Sequence, residues 1–366
     1  MKVAHLDTGR SWRGGQAQVL LLLRGLEARG HRSRLLAPRG PLLERAAAAG
    51  IVWRAWEPRG EWDLGAMVEA ARALRGWAPD LAHAHSAHAH TLGVPAARLA
   101  RVPAVVVSRR VDFAVGGNPL SRLKYAAGVD RYLCISRGVR EVMRAGGIPE
   151  RRLALVPSGI ELGTADPATP APDLRAIIGV PAGTPLAGTV AALAPHKNHA
   201  DLLRAARQVV DARADVHFVW IGEGECRPAL ERLRAELSLE SRVHLLGFRP
   251  DARRLMTQFT VFVLSSYLEG LCTSLLDAQS QGVPVIATAV GGVPDLVADG
   301  VTGRLVPPRD PAALAAAILR AIDDAPARQG WADRARDSVR AFSADHMVER
   351  TLEVYREALA EHGVRA

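Results

Sequence analysis

Cysteine is scarce: the 366 residues hold only Cys134, Cys226 and Cys272. They stand far apart and form no CxxC pair, which argues against a disulfide framework and against a cysteine zinc site. Lysine is equally rare, with Lys2, Lys124 and Lys197 set against 44 arginines. Aromatic residues make up 5%, too few for the stacking platforms of single-strand nucleic-acid binders. No apolar run approaches the roughly 18 residues of a membrane-spanning helix. Asp7 comes too early for a signal-peptide apolar core. The expectation is a soluble protein of a reducing compartment.

What is present is ordinary globular composition, 48% hydrophobic and 23% charged. At roughly 100–200 residues per domain, the length suggests two domains. Charge is uneven: residues 1–165 carry +12 and the remainder −3. A basic half suits an anionic partner such as a phosphorylated substrate, a membrane surface or nucleic acid. The plainer reading is a solvated arginine-rich surface. No nucleic-acid reading motif accompanies the charge.

Apolar, β-branched segments alternate with helical ones. Lys2–Leu6, Arg34–Ala37, Leu81–His85, Val102–Val107 and Arg131–Ile135 read as strands in the first half. Pro185–Ala192, Val216–Ile221, Val243–Gly247, Val261–Leu264 and Val283–Thr288 do so in the second. Such alternation predicts βαβ units on parallel sheets, an α/β fold of two doubly wound halves. Prolines at 157, 167, 170, 172, 181 and 185 punctuate the boundary between them. The domains are expected at 1–165 and 166–345, with a helix at 346–366 that returns to the first. Ligands of such folds sit at the carboxyl ends of the strands, so a cleft between the halves is the expected site.

Four segments carry candidate chemistry. Ser265–Asp277 follows an apolar strand and opens a helix near Thr273 or Ser274. Gly270 lets backbone approach a ligand, and N–H groups at the helix start face an anion. Glu269 and Asp277, eight positions apart, could grip polyols on either side of a diphosphate. Val190–His199 places Lys197, a compact cation, on a loop between strand and helix. Gly14-Gly15 precedes a helix after the first strand, and Gly222-Glu223-Gly224 ends another strand; each is a weak phosphate-loop signal. His83, His85, His88 and His90 cluster, with His83 and His85 on one strand face. No carboxylate or cysteine group joins them, so no metal site is assigned. Arg109, Arg110 and Asp112 end the following strand.

The run Glu269-Gly270, Leu275-Leu276-Asp277-Ala278, Gly282–Thr288, Gly291-Gly292-Val293-Pro294-Asp295 and Gly300–Gly303 resembles the donor-binding domain of family 4 retaining glycosyltransferases. That family has the GT-B fold of two Rossmann-like halves. The resemblance implies that Glu269 binds donor-sugar hydroxyls and that Asp277, where the family has glutamate, holds the ribose. Backbone amides of Gly270, Leu271, Cys272 and Thr273 would face sugar and phosphates. Lys197 matches the lysine that meets the diphosphate. The partner arginine position aligns with Ala192, with Arg13 and His196 as candidate substitutes. Gly14 and Gly15 would line the donor, while Gly222 and Gly247-Phe248-Arg249 would flank the nucleotide. His85 matches a histidine beside the donor sugar. Arg109, Arg110 and Asp112 are the acceptor-side candidates.

The implied reaction moves a sugar from a UDP- or GDP-linked donor to a glycan or lipid-linked acceptor hydroxyl, with retention and without metal or other cofactor. The expected catalytic residues are Glu269, Lys197 and His85. Pro119–Tyr125 mixes cationic and apolar groups and could touch an anionic membrane from the cytoplasmic side. Alternatives are an inverting or epimerising enzyme on the same scaffold, or a sugar-nucleotide binder with weakened activity, since Ala192 and Asp277 depart from the family pattern.

Overall fold

The computed structural model describes residues 1–113, 115, 124–125, 127–163 and 171–364. The chain divides into two units, Met1–Gly159 with Phe342–Ala366, and Ile160–Ala341. The expected boundary at 165/166 lies outside the described residues, as do residues 119–123 of the expected membrane segment.

In the first unit β1 (Lys2–Leu6), α1 (Gly14–Ala28), β2 (Arg32–Ala37), α2 (Pro41–Ala48), β3 (Val52–Ala55), α3 (Leu64–Trp77), β4 (Leu81–Ala84), α4 (Ala87–Leu99) and β5 (Ala104–Arg109) follow one another. β6 (Arg131–Cys134), α5 (Arg137–Ala145) and β7 (Leu153–Leu155) complete the sheet. Its order is β3-β2-β1-β4-β5-β6-β7, and every pairing is parallel. Central strands buried on both faces explain the continuous apolar runs, such as Ala104–Val107. β3 is an edge strand and correspondingly exposed at Val52 and Trp53.

The second unit opens with α6 (Leu174–Ile178), β8 (Leu186–Val190), α7 (His199–Ala212), β9 (His217–Ile221), α8 (Arg227–Glu236) and β10 (Val243–Leu245). It continues through α9 (Ala252–Leu255), β11 (Val261–Leu264), α10 (Thr273–Ser280), β12 (Val285–Thr288), α11 (Val293–Leu296) and β13 (Arg304–Val306). Two helices, α12 (Pro311–Asp323) and α13 (Ala325–Ser338), close it. The sheet order is β10-β9-β8-β11-β12-β13, again all parallel. In each sheet the winding reverses once, between β1 and β4 and between β8 and β11. At such a switch point neighbouring loops leave in opposite directions and open a crevice at the carboxyl ends.

Local pattern and structure part at α4. Pro95 lies inside this helix, where it removes a backbone donor and argues for a break. Buried Leu92, Val94, Ala96 and Ala97 hold the helix together through packing that propensity does not register.

The final helix α14 (Ala344–Ala360) belongs to the first unit. Ser343 caps it by accepting from His346 N–H. Met347, Val348, Leu352, Tyr355 and Leu359 pack into a cluster with Val3, Leu22, Leu26, Leu81, Ala104 and Val106. Gly25 is required by this contact, since a Cβ there would lie 2.4 Å from Val348 Cγ2. Arg131 adds a two-pronged pair with Glu361 at 2.7 and 2.9 Å. Full burial of a large side chain is worth about 2 kcal/mol, so Leu352, Tyr355 and Leu359 together contribute on the order of 6 kcal/mol. Deleting residues 344–366 should therefore strip amide protection from residues 1–159 while leaving 171–341 protected. Hydrogen exchange checks this; unchanged protection of β1 and β5 would refute it.

Candidate active site

The second unit brings its candidates together at the β8/β11 switch. Lys197 ends a single helical turn, Pro195–Lys197, after β8. Asn198, at φ 52°, then turns the chain into α7. Glu269 lies on the loop between β11 and α10. Because β8 and β11 are parallel neighbours, both loops leave the same sheet edge. They are stitched by Ser265 Oγ donating to Lys197 O at 2.9 Å and Tyr267 N–H donating to His196 O at 3.0 Å. Lys197 Nζ donates to Glu269 Oε1, which also accepts from Ser266 Oγ at 2.9 Å. Gly292 N–H donates to Glu269 O at 3.1 Å, fixing the loop after β12 to the same point.

Both charges of the pair are largely out of water, with side-chain exposures of 15% for Lys197 and 7% for Glu269. Burial works against the Lys197 ammonium, but Cys272 and Glu269 outweigh it and hold its pKa above the ordinary value. Burial pushes the Cys272 thiol up. The Lys197 ammonium and the Glu269 carboxylate face each other through a direct hydrogen bond. Together the two side chains form a neutral, preformed donor–acceptor couple. An anion could take the ammonium while a hydroxyl donates to the carboxylate.

The helix opens near Thr273, as expected from the sequence. Thr273 is its first residue and Cys272 its cap, with no side-chain cap hydrogen bond. Gly270, Leu271 and Cys272 are buried at this turn. Asp277, on α10, is raised to about 6, first by burial and also by Glu161, with Arg253 opposing. Arg253 Nε lies 3.3 Å from Asp277 Oδ1, and its Nη2 donates to Glu161 O at 2.5 Å and Gly163 O at 3.3 Å. Gly222, at φ 149°, has a backbone reason to be glycine: a Cβ would lie 1.9 Å from Ala191 O. It therefore lets the loop after β8 pass close to the end of β9. Arg249 is held by Asp251 through two hydrogen bonds of 2.8 Å. Beside it the Phe248 ring is 64% exposed.

The first unit gathers its candidates at the β1/β4 switch. Gly14 and Gly15 open α1, whose cap residue Arg13 makes no side-chain cap bond. Buried Asp7 organises the preceding loop, accepting from Gly9 N–H at 2.6 Å and Gln16 Nε2 at 3.1 Å. A Cβ on Gly15 would meet Arg110 Cδ at 3.9 Å, so Arg110 lies over the helix start. Burial lowers Arg110 to about 10, opposed by Asp7 and Tyr355; it stays a cation at neutral pH. Arg109 turns inward, to Tyr125 Oη at 2.6 Å and to the carbonyl of Phe113. Asp112 is half-buried on the same segment.

The four-histidine run is not one strand. β4 ends at Ala84, and His88 and His90 belong to α4. His90 is a core residue, bonded to Lys124 O at 3.0 Å and edge-on to Tyr125 and Tyr132. His83 and His85 instead meet His5, a β1 residue whose importance the sequence did not disclose. One ring nitrogen from each of the three lies within 4.8 Å of the others. His5 Nδ1 and His85 Nε2 are 3.0 Å apart. His83 is engaged at both nitrogens, by Tyr355 Oη at 2.6 Å and Ser108 Oγ at 2.8 Å. A cation there would have to displace one of those hydroxyls from His83, with no carboxylate joining the group among the described residues and beside the Arg110 charge. Only the β1–β4 register, His5 opposite His83, could have pointed to the cluster.

Two family models cover most of the chain. "Glycosyltransferase Family 4" matches residues 12–164 and "Glycosyl transferases group 1" matches 171–338. A D-inositol 3-phosphate glycosyltransferase of Nocardia farcinica is 30% identical over 321 residues, covering 81% of this chain and 71% of the relative. The chain belongs to family 4 of the glycosyltransferases. The UDP-Gal:alpha-D-GlcNAc-diphosphoundecaprenol alpha-1,3-galactosyltransferase of Escherichia coli is 28% identical over 276 residues, 72% of this chain and 71% of the relative. The crystal structure of Anabaena Alr3699/HepE in complex with UDP superposes with a TM-score of 0.86 at 20% identity, covering 98% of this chain and all of that one. The fold is thus GT-B, and the enzyme is a glycosyltransferase.

Two predictions follow from the burial. Lys197→Met strands a buried carboxylate and should cost about 3–5 kcal/mol, whereas the Lys197→Met/Glu269→Leu double variant should regain most of that loss. Urea denaturation of the three proteins decides; equal losses in single and double variants would contradict it. Burial also lowers His5, His90 and His199 to about 3. Below about pH 6.5 the unfolded chain takes up protons that the folded one refuses, so stability should fall as pH drops. At pH 5 each histidine costs about 2 kcal/mol, partly offset by Asp277, whose raised pKa acts in the opposite sense. A melting temperature that does not fall between pH 7.5 and 5 would refute it.

Proposed function

We propose that this enzyme transfers a hexosyl or related residue from a UDP- or GDP-linked sugar to an acceptor hydroxyl with retention at the anomeric carbon, in the synthesis of a bacterial surface glycan, lipopolysaccharide or glycolipid. The observation that carries the donor half is the buried Lys197–Glu269 couple at the β8/β11 switch. Lys197 gives its charge to the departing diphosphate, helped by the amides of Gly270, Leu271, Cys272 and Thr273 at the start of α10. Glu269, released from the lysine, accepts from donor-sugar hydroxyls. Asp277 takes the ribose, Arg253 keeping part of its charge in place. Phe248 and Arg249 flank the base, and Gly222 keeps the neighbouring loop close. The UDP in the Anabaena complex and the UDP-Gal in the Escherichia coli relative's name favour a uridine donor.

In the acceptor half, His85 orients the donor sugar, Gly14 and Gly15 admit it, and Arg110 with Asp112 meets the acceptor. Arg109 acts indirectly, by fixing the segment through Tyr125. The leaving phosphate oxygen takes the acceptor proton, so no strong protein base and no metal are needed. A lipid-linked acceptor agrees with the name of the Escherichia coli relative. It also agrees with exposed Trp62, Leu64 and Phe113 in the basic unit, 72%, 67% and 58% accessible. No described helix is long and apolar enough to cross a membrane, so we place the enzyme peripherally on the cytoplasmic face.

Glu269→Ala and Lys197→Ala should each lower turnover about 100-fold, measured with UDP-sugars chosen by a thermal-shift screen. Near-normal rates in both variants would remove the assignment. Proton NMR of the product reads the anomeric configuration, and an inverted product would replace retention by inversion. Flotation with liposomes of anionic lipid should show binding that weakens with salt and with Trp62→Ser; no binding would remove the membrane contact.

A further inference from the structure

His5 has no place in the roles just described, yet it is fully buried and sits in the centre of the first unit's cluster. It stands on β1 opposite His83 of β4, and His85 follows just past the end of that strand. Its ring lies nearly coplanar with that of His85, at 14° and 5.2 Å between centroids. Its Nδ1 meets His85 Nε2 at 3.0 Å. The two outer nitrogens, His5 Nε2 and His85 Nδ1, are buried and have no hydrogen-bond partner among the described residues.

We propose that His5 is the positioning residue for His85: the hydrogen bond between them fixes the His85 ring and ties its tautomer to that of His5. The argument is one of counting. A neutral imidazole has one N–H and one lone pair. Two N–H groups facing each other at 3.0 Å would clash, and two lone pairs would repel. One of the facing nitrogens is therefore the donor and the other the acceptor. Whichever arrangement holds, the outer nitrogens are complementary: when His85 Nδ1 is a donor, His5 Nε2 is an acceptor, and the reverse. Burial keeps both rings neutral, His5 being pushed down to about 3 and His85 well below its ordinary range.

Among the described residues no other group is bonded to the His85 ring. His83 touches both rings, but its two nitrogens are occupied by Tyr355 and Ser108, so it contributes packing and not a proton. Arg110 lies close enough to disfavour protonation of His85 and acts on it through charge alone. The chain of control runs from the β1–β4 pairing to His5, and from His5 to the nitrogen that His85 offers a substrate hydroxyl. A hydroxyl can donate or accept, but an enzyme that must hold one sugar in one pose gains from offering one role only.

The inference rests on the reading of His85 as a sugar-contacting residue, and the test separates the two. Protein carrying 15N-labelled histidine is compared as wild type, His5→Leu, His5→Asn and His85→Gln, the last assigning the His85 signals. Wild-type His85 should show one neutral tautomer. In His5→Leu its nitrogens should move to averaged shifts, and kcat should fall about 10- to 100-fold with little change in KM for the nucleotide sugar. His5→Asn, which keeps an amide near the Nδ1 position, should restore both the tautomer and most of kcat. Hydrogen-exchange protection of β1 and β5 in each variant controls for folding of the first unit. An unchanged His85 spectrum in His5→Leu overturns the inference. Full activity in His85→Gln, with the spectrum of His5→Leu altered, sinks the sugar-contact reading and leaves the positioning intact.

Discussion

An ammonium and a carboxylate taken out of water together survive only if each answers the other. That constraint shapes the second unit. Lys197 and Glu269 arrive from different βα loops, separated by 72 residues, and meet because β8 and β11 are parallel neighbours at the point where the winding reverses. Desolvation of two charges is costly and their mutual attraction only roughly offsets it. Such a pair is therefore a poor device for stability. It makes better sense as a site held ready, in which a ligand bearing both an anion and hydroxyls replaces the internal partner of each group.

The first unit solves a different problem with uncharged groups. Around the β1/β4 switch the polar atoms are His5, His83, His85, Ser108 and Tyr355, all buried, with Asp7 and Arg110 nearby. Neutral imidazoles and hydroxyls can be desolvated at far less cost than ions, provided that they bond to one another. His83 is satisfied on both sides; His5 and His85 are satisfied only on the side they share. Tyr355 comes from the last helix, so the same helix closes the first unit's core and completes its polar cluster.

Two features of the second unit become intelligible through packing. The glycines of the strand-end loop at 222–224 are demanded by the backbone of residues 191–193, whose carbonyls a Cβ would strike. Asp277 is shorter than glutamate, and Arg253 reaches it from α9 while anchoring Glu161 and Gly163. The acid is thus held within a small network of its own and does not stand alone on a helix.

The alternation of apolar strands with helical segments, the proline-rich boundary, the acid–glycine turn before α10 and the strand-end lysine were all readable in the chain. They are local: each depends on residues within a few turns of one another, and periodicity reports them directly. α4 was obscured because Pro95 argues locally against a helix that packing maintains. The partnership of Lys197 with Glu269, of His5 with His85, and of Tyr355 with His83 belonged to the tertiary structure alone. Those contacts span 72, 80 and 272 residues, and what sets them is the order of strands in a sheet, which no run of neighbouring side chains encodes.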